Sequence, residues 1–128
     1  KFIDYVQARN LSNLALSTSV EVQTNARSPT NCLAIEKIEY RYLLSGALNG
    51  SISLFDLEVA SSGYGTKHTL HPILEHTPGV NSSQGSYGGG SGMVASLQWY
   101  PEDSGAFISA GMTGHVSIFD TNYFAIVA

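Results

Sequence analysis

Along the stretch "YLLSGALNGSISLFDLE", residues 42–58, apolar and polar positions follow the two-residue period of β-strands. Tyr42, Leu43 and Leu44 form an apolar run, and Ile52 and Leu54 alternate with Ser51 and Ser53. Asn49-Gly50 lies between them. Both residues tolerate a positive φ, so the pair predicts a hairpin closed by a two-residue type I′ turn. The same pattern predicts strands over residues 31–38, 42–48 and 51–57, then 93–100, 106–112 and 115–120. Residues 16–24 alternate and read as a strand. Residues 67–76 read as a fourth, outer strand, which Pro72 confines to an edge. Residues 123–127 read as the start of another outer strand. Residues 2–16 read as a helix with Phe2, Val6, Leu11, Leu14 and Ala15 near one face, weakened by Asn10, Ser12 and Asn13.

Sliding the chain along itself by 64 positions lays "LLSGALNGSISLFD" on "FISAGMTGHVSIFD". Ser45 meets Ser109, Asn49-Gly50 meets Thr113-Gly114, and Phe55-Asp56 meets Phe119-Asp120. Upstream, Leu33 meets Leu97 and Ile35 meets Trp99 without a gap. Two hairpins that agree in register, turn and terminal aromatic-Asp pair form an internal repeat, and a repeat governs any argument about fold. Short antiparallel strands in groups of three or four, with a recurring aromatic-Asp at one strand end, describe the blades of an all-β propeller. Closure of a propeller takes typically four or more blades, and two are readable here.

Composition narrows the function classes. The chain has 128 residues, a formal charge of −4, 43% hydrophobic residues and only 12% charged ones, which suits one folded, glycine-rich β domain. The six basic residues are scattered, so no stripe tracks a phosphate backbone, and direct nucleic-acid binding is not expected. The single cysteine, Cys32, excludes an internal disulfide framework. No apolar run approaches the ~20 residues of a membrane-spanning helix, and no small-molecule substrate is indicated.

The segments "SGALNGSISLFD" and "SAGMTGHVSIFD" resemble WD repeats, with Phe where Trp is usual. The usual repeat is ~40–45 residues. The longer spacing here places an insertion in the Gly/Ser-rich stretch that ends at Gly92 and reads as mobile. More narrowly, "NCLAIEKIEYRYLLSGALNGSISLFDLE" and "VASLQWYPEDSGAFISAGMTGHVSIFDTN" resemble the first two blades of the Cockayne syndrome group A family. That resemblance implies a non-catalytic, nuclear WD-repeat substrate receptor of a cullin-RING ubiquitin ligase, acting in transcription-coupled nucleotide excision repair. It implies protein partners, among them the ligase's propeller adaptor, and no cofactor or metal. The organisation expected is an N-terminal segment over 1–16 with a candidate adaptor-docking helix, a first blade over 17–76, a flexible loop over 77–92, and an incomplete second blade over 93–128.

In WD repeats a strand hydroxyl, a turn Asp, the terminal aromatic and an upstream His form a stiffening hydrogen-bond chain. The resemblance places Ser45 and Ser109 at the hydroxyl, Asn49 and Thr113 at the turn, followed by Gly50 and Gly114, and Phe55-Asp56 and Phe119-Asp120 at the end. Phenylalanine has no N–H to donate and no His stands upstream, so the chain is incomplete and packing must compensate. Glu58 and Asn122 occupy the Arg positions of the receptors' Trp-Asp-x-Arg adaptor motif. This shifts the expected docking to Phe2, Tyr5, Val6 and Leu11 in the N-terminal helix. A generic WD-repeat scaffold is the alternative. A small metal enzyme using His68, His71 and His76 with Glu75 is a weaker one, because His68 and His71 point to opposite faces of a strand. "GGGSG", residues 88–92, lacks the Lys-Ser/Thr of a phosphate loop. Trp99 aligns with Ile35, so at least one of Trp99 and Tyr100 is expected in the core.

Overall fold

A computed structural model describes residues 1–59, 68–79 and 92–128. The expected loop over residues 60–65 and residues 80–91 of the Gly/Ser-rich stretch lie outside the described residues. Among the described residues one helix, α1 (Phe2–Ser12), precedes ten strands: β1 (Val20–Val22), β2 (Thr30–Ile35), β3 (Tyr42–Ala47), β4 (Ile52–Asp56), β5 (His68–Leu70), β6 (Leu74–His76), β7 (Val94–Trp99), β8 (Ala106–Gly111), β9 (Val116–Asp120) and β10 (Ala125–Ile126). They form two four-stranded antiparallel sheets, β2-β3-β4-β6 and β7-β8-β9-β10, and a small parallel pair, β1 with β5. No described helix is long and apolar enough to cross a membrane.

The 64-residue shift carries β2, β3 and β4 onto β7, β8 and β9 residue for residue. Even the irregularities coincide. Each inner strand has a bulge after its first residue, between Thr30 and Cys32 and between Val94 and Ser96. The turns coincide too, but they are not the two-residue type expected. The Gly50 N–H donates to the Ala47 carbonyl at 3.1 Å and the Ala47 N–H to the Ser51 carbonyl at 2.9 Å, which closes a three-residue loop. Gly114 and Gly111 repeat this at 3.1 and 2.9 Å. Only the glycines take a positive φ, +84° in both turns, and Asn49 does not. A turn followed by a left-handed glycine bulge needs one such residue, where type I′ needs two.

Two predicted strands are shorter than the pattern suggested. The alternation over residues 16–24 yields only β1, because its partner β5 is three residues long. Residues 67–76 split at Pro72, which lacks the N–H a ladder needs. The first part pairs with β1 and the second with β4. Residues 125–126 of the expected last outer strand form β10, which pairs with β9 and gives the second sheet four strands.

The two sheets stack, and the seam between them is the main core. From the first sheet come Leu44, Ile52 and Leu54; from the second come Val94, Leu97, Trp99, Phe107, Phe119 and Phe124, all buried. Phe107 and Phe119 stack at 4.8 Å between centroids, and Trp99 tilts against Phe107 at 5.8 Å. Phe124 joins them although its φ is +48°. A bulky residue adopts this region only when surrounding contacts enforce it, and burial of the ring against Phe107 and Phe119 supplies them. The Trp99 indole N–H donates to the Ala34 carbonyl at 3.1 Å and the Asn31 amide to the Val94 carbonyl at 2.9 Å, so the inner strands are also tied. Gly46 sits where they press closest: a Cβ there would lie 2.6 Å from Val94 Cγ1 and 2.8 Å from Cys32 Sγ. A second cluster, Leu43, Phe55 and Leu70 with Val20 and Leu57, fixes the β1–β5 pair on the opposite face of the first sheet.

Candidate functional site

The loops between inner strands and the ends of β4 and β9 build one rim of the molecule. In the first sheet a buried carboxylate organises it. Glu36 accepts from the backbone N–H groups of Ile38 and Glu39, the latter at 2.9 Å, and is itself enclosed. The loop it closes displays Ile38 and Tyr40, both exposed, with Tyr40 at φ +55°. Arg41 then reaches across to Asp56, donating Nε at 3.0 Å and Nη2 at 2.8 Å to its two carboxylate oxygens. Its Nη1 meets Glu58 at 2.9 Å, and its guanidinium lies 5.2 Å from the Tyr42 ring centroid. The hydrogen bonds from Arg41 hold the Asp56 carboxyl below its ordinary range and push the guanidinium above its own.

The second sheet repeats the frame without the cation. Asp120 accepts from the Asn122 N–H at 2.7 Å, as Asp56 does from Glu58 at 3.0 Å. The Thr121 N–H donates to the Gly105 carbonyl at 3.0 Å, as Leu57 does to Arg41 at 2.8 Å. Gly105 stands where Arg41 stands, so no guanidinium approaches Asp120 from that position. Trp99 is buried and Tyr100 is exposed, as the alignment with Ile35 required of at least one.

At the opposite end, Ser45 and Ser109 are buried at their shared strand position. Ser45 Oγ lies 3.4 Å from Thr30 Oγ1. Asn49 uses its side-chain oxygen locally, accepting from the Ser51 N–H at 3.1 Å. Thr113 turns its methyl toward Gly92. The residue that ties this end together is one the sequence offered only as a metal ligand beside the histidines: Glu75 accepts from Ser53 Oγ and from Asn25 Nδ2, each at 3.2 Å. It joins the outer strand to β4 and to the segment before β2. Glu36, Arg41 and Glu75 carry no periodic signal, and their partners lie across strands whose register only the fold supplies.

The histidines do not converge. His68 is on β5, His71 in the break, and His76 on β6. Among the described residues no group of three His, Cys, Asp or Glu side chains could hold a metal ion. His76 instead packs edge-on against Phe119, ring centroids 5.1 Å apart, and burial pushes its pKa down.

The N-terminal residues do form a helix, but it ends at Ser12, so Leu14 and Ala15 are outside it. None of its residues is buried, and Phe2, Tyr5, Val6 and Leu11 remain available. They do not share one face. At about 100° per residue, Phe2 and Leu11 lie about half a turn apart, so the apolar groups wrap the helix, with Phe2, Tyr5 and Val6 on one side.

No protein-family model matches the chain. The WD repeat-containing protein ATCSA-1 of Arabidopsis thaliana is 30% identical over 127 residues, an alignment covering 94% of this chain and 26% of that protein. The chain therefore spans about a quarter of the length of the curated relative it matches. The two stacked four-stranded sheets, repeating in register, settle the architecture together with that relative. The fold is a pair of WD-type propeller blades. Each blade runs from an inner strand, β2 or β7, to an outer one, β6 or β10, and the Phe-Asp pairs close the third strand of each.

Proposed function

We propose that this chain contributes two blades and a docking helix to a non-catalytic WD-repeat receptor. In this reading it works in a cullin-RING ubiquitin ligase serving transcription-coupled nucleotide excision repair in the nucleus. Proteins are its partners, and it needs no cofactor. WD-type repeats generally serve protein interaction. The narrower reading rests on the resemblance to the Cockayne syndrome group A family. The observation that carries it is α1: a helix with exposed Phe2, Tyr5, Val6 and Leu11, none of them packed on the blades. Phe2, Tyr5 and Val6 fall on one side of α1, a spacing that suits a helix laid in a partner's groove, and aromatic anchors of this kind dominate many interfaces.

The test is capture of the ligase's propeller adaptor by the protein in cell extract or in purified form. Phe2→Ala with Val6→Ala is expected to weaken capture at least tenfold while the blades' unfolding transition is unchanged. Unchanged capture removes the docking role of α1.

A generic interaction scaffold is the second reading. It draws support from positions 58 and 122, where Glu and Asn replace the motif's Arg, and from Glu58 being engaged by Arg41 within the same blade. Recovery of stable protein complexes that lack the adaptor favours it.

A further inference from the structure

At the end of the first blade opposite the rim, Asn25, Arg27, Asn49, Ser51, Glu75 and Thr77 line a cleft of about 270 Å³. Two hydroxyl residues followed by proline, Ser28-Pro29 and Thr77-Pro78, come to this end from distant parts of the sequence. Their settings differ. The Ser28 hydroxyl is half-buried and accepts from the Asn49 N–H at 3.1 Å, pinned to the β3–β4 turn. Thr77 is exposed, one residue beyond β6, directly before a turn at Pro78 and Gly79, the latter at φ +87°. A proline biases the residue before it to extended backbone, the form in which protein kinases take an acceptor.

We propose that Thr77 is a phosphorylation site for a proline-directed protein kinase, with its phosphate sharing the cleft with Arg27 and Glu75. The co-substrate is ATP. A bond forms between Thr77 Oγ1 and the γ-phosphorus, the bond from that phosphorus to the β–γ bridging oxygen breaks, ADP leaves, and the hydroxyl proton passes to the kinase's base. The consequence follows from charge. Glu75 is two residues away along the chain and holds Ser53 and Asn25. A phosphate near −2 repels that carboxylate and attracts the Arg27 guanidinium. The tie between the outer strand and the segment before β2 is then exchanged for an arginine–phosphate pair.

The experiment incubates the folded chain with ATP and a proline-directed kinase and maps the products by mass spectrometry, with a peptide of residues 68–79 as the positive control. Thr77 is expected to be modified at least tenfold faster than Ser28, and Thr77→Ala to remove the faster phase. A modified peptide beside an unmodified Thr77 in the folded chain overturns the site. Phosphorus-31 NMR titration then tests the cleft. Arg27→Gln is expected to raise the phosphate's second pKa by about half a unit and Glu75→Gln to lower it by as much. Identical titrations in all three proteins overturn the placement.

Discussion

Leu44, Ile52 and Leu54 of the first blade and Ile108, Val116 and Ile118 of the second hold the same positions under the 64-residue shift, yet their surroundings are opposite. Leu44 and Leu54 are 0% and 5% exposed; Ile108 and Ile118 are 45% and 40% exposed. On the other face the contrast reverses: Leu97 is buried at 8% against the first blade, whereas its counterpart Leu33 is 63% exposed. The strands do not differ in kind. What differs is the neighbour: the face bearing Leu44 meets the second blade, and among the described residues nothing covers the face bearing Ile108. A blade is thus built with two apolar faces and relies on stacking, as repeat architectures do.

Gly46 and Ala110 sharpen the point. They are equivalent, but only Gly46 lies under the inner strand of a neighbouring blade, and only there is a side chain excluded. The Phe-Asp ends differ as well, since Arg41 braces the first and Gly105 leaves the second without that brace.

The largest expected effect comes from emptying the seam. Phe107→Ala should cost about 3–5 kcal/mol, whereas Ile108→Ala, one residue along on the uncovered face, should cost about 1 kcal/mol or less. Denaturant unfolding of both variants checks this; equal losses would dissolve the contrast between the faces. Next in size, Gly46→Val should cost about 1–3 kcal/mol through overpacking against Val94 and Cys32, while Ala110→Val is tolerated, as read by the same transitions.

The uncovered face itself should drive self-association of the isolated chain, because Ile108, Val116 and Ile118 form a contiguous apolar surface. Ile108→Lys with Ile118→Lys should shift the sedimentation profile toward monomer without lowering the unfolding midpoint. A wild-type chain that is monomeric at all concentrations counts against it.

Smaller effects track pH. Burial depresses the His76 pKa, so the folded chain prefers the neutral ring against Phe119. The stability it contributes is full above the unfolded value of about 6.5 and is lost as pH falls through the lower folded value. Melting temperature measured between pH 7.5 and 5 should fall less in His76→Phe than in the wild type. Asp56 behaves alike at lower pH. Its stabilisation by Arg41 is present above the ordinary carboxylate value near 3.9 and is lost as pH drops through the depressed folded one. Arg41→Gln should move the Asp56 titration upward in carboxyl NMR.

Sequence alone was enough for the blade as a unit. Alternation marks strands because side chains alternate across a pleat, and the repeat shows which residues correspond, so the six repeated strands and both turn glycines were legible before any coordinates, whereas the alignment with Ile35 said only that one of Trp99 and Tyr100 is core and not which. Local pattern says only that a position is apolar, not what covers it. It also cannot see partners whose contact depends on register. The loop that replaced a type I′ turn, the split at Pro72, the Arg41–Asp56 pair and the Glu75 tie were therefore decided by the fold. The helix shows the same limit from the other side. Its residues favour α1 locally, but Phe2 and Leu11 fall on opposite sides, and no blade surface holds them. Which of two equivalent apolar faces becomes core is a property of stacking. Stacking joins residues about 64 positions apart, beyond the reach of any local periodicity.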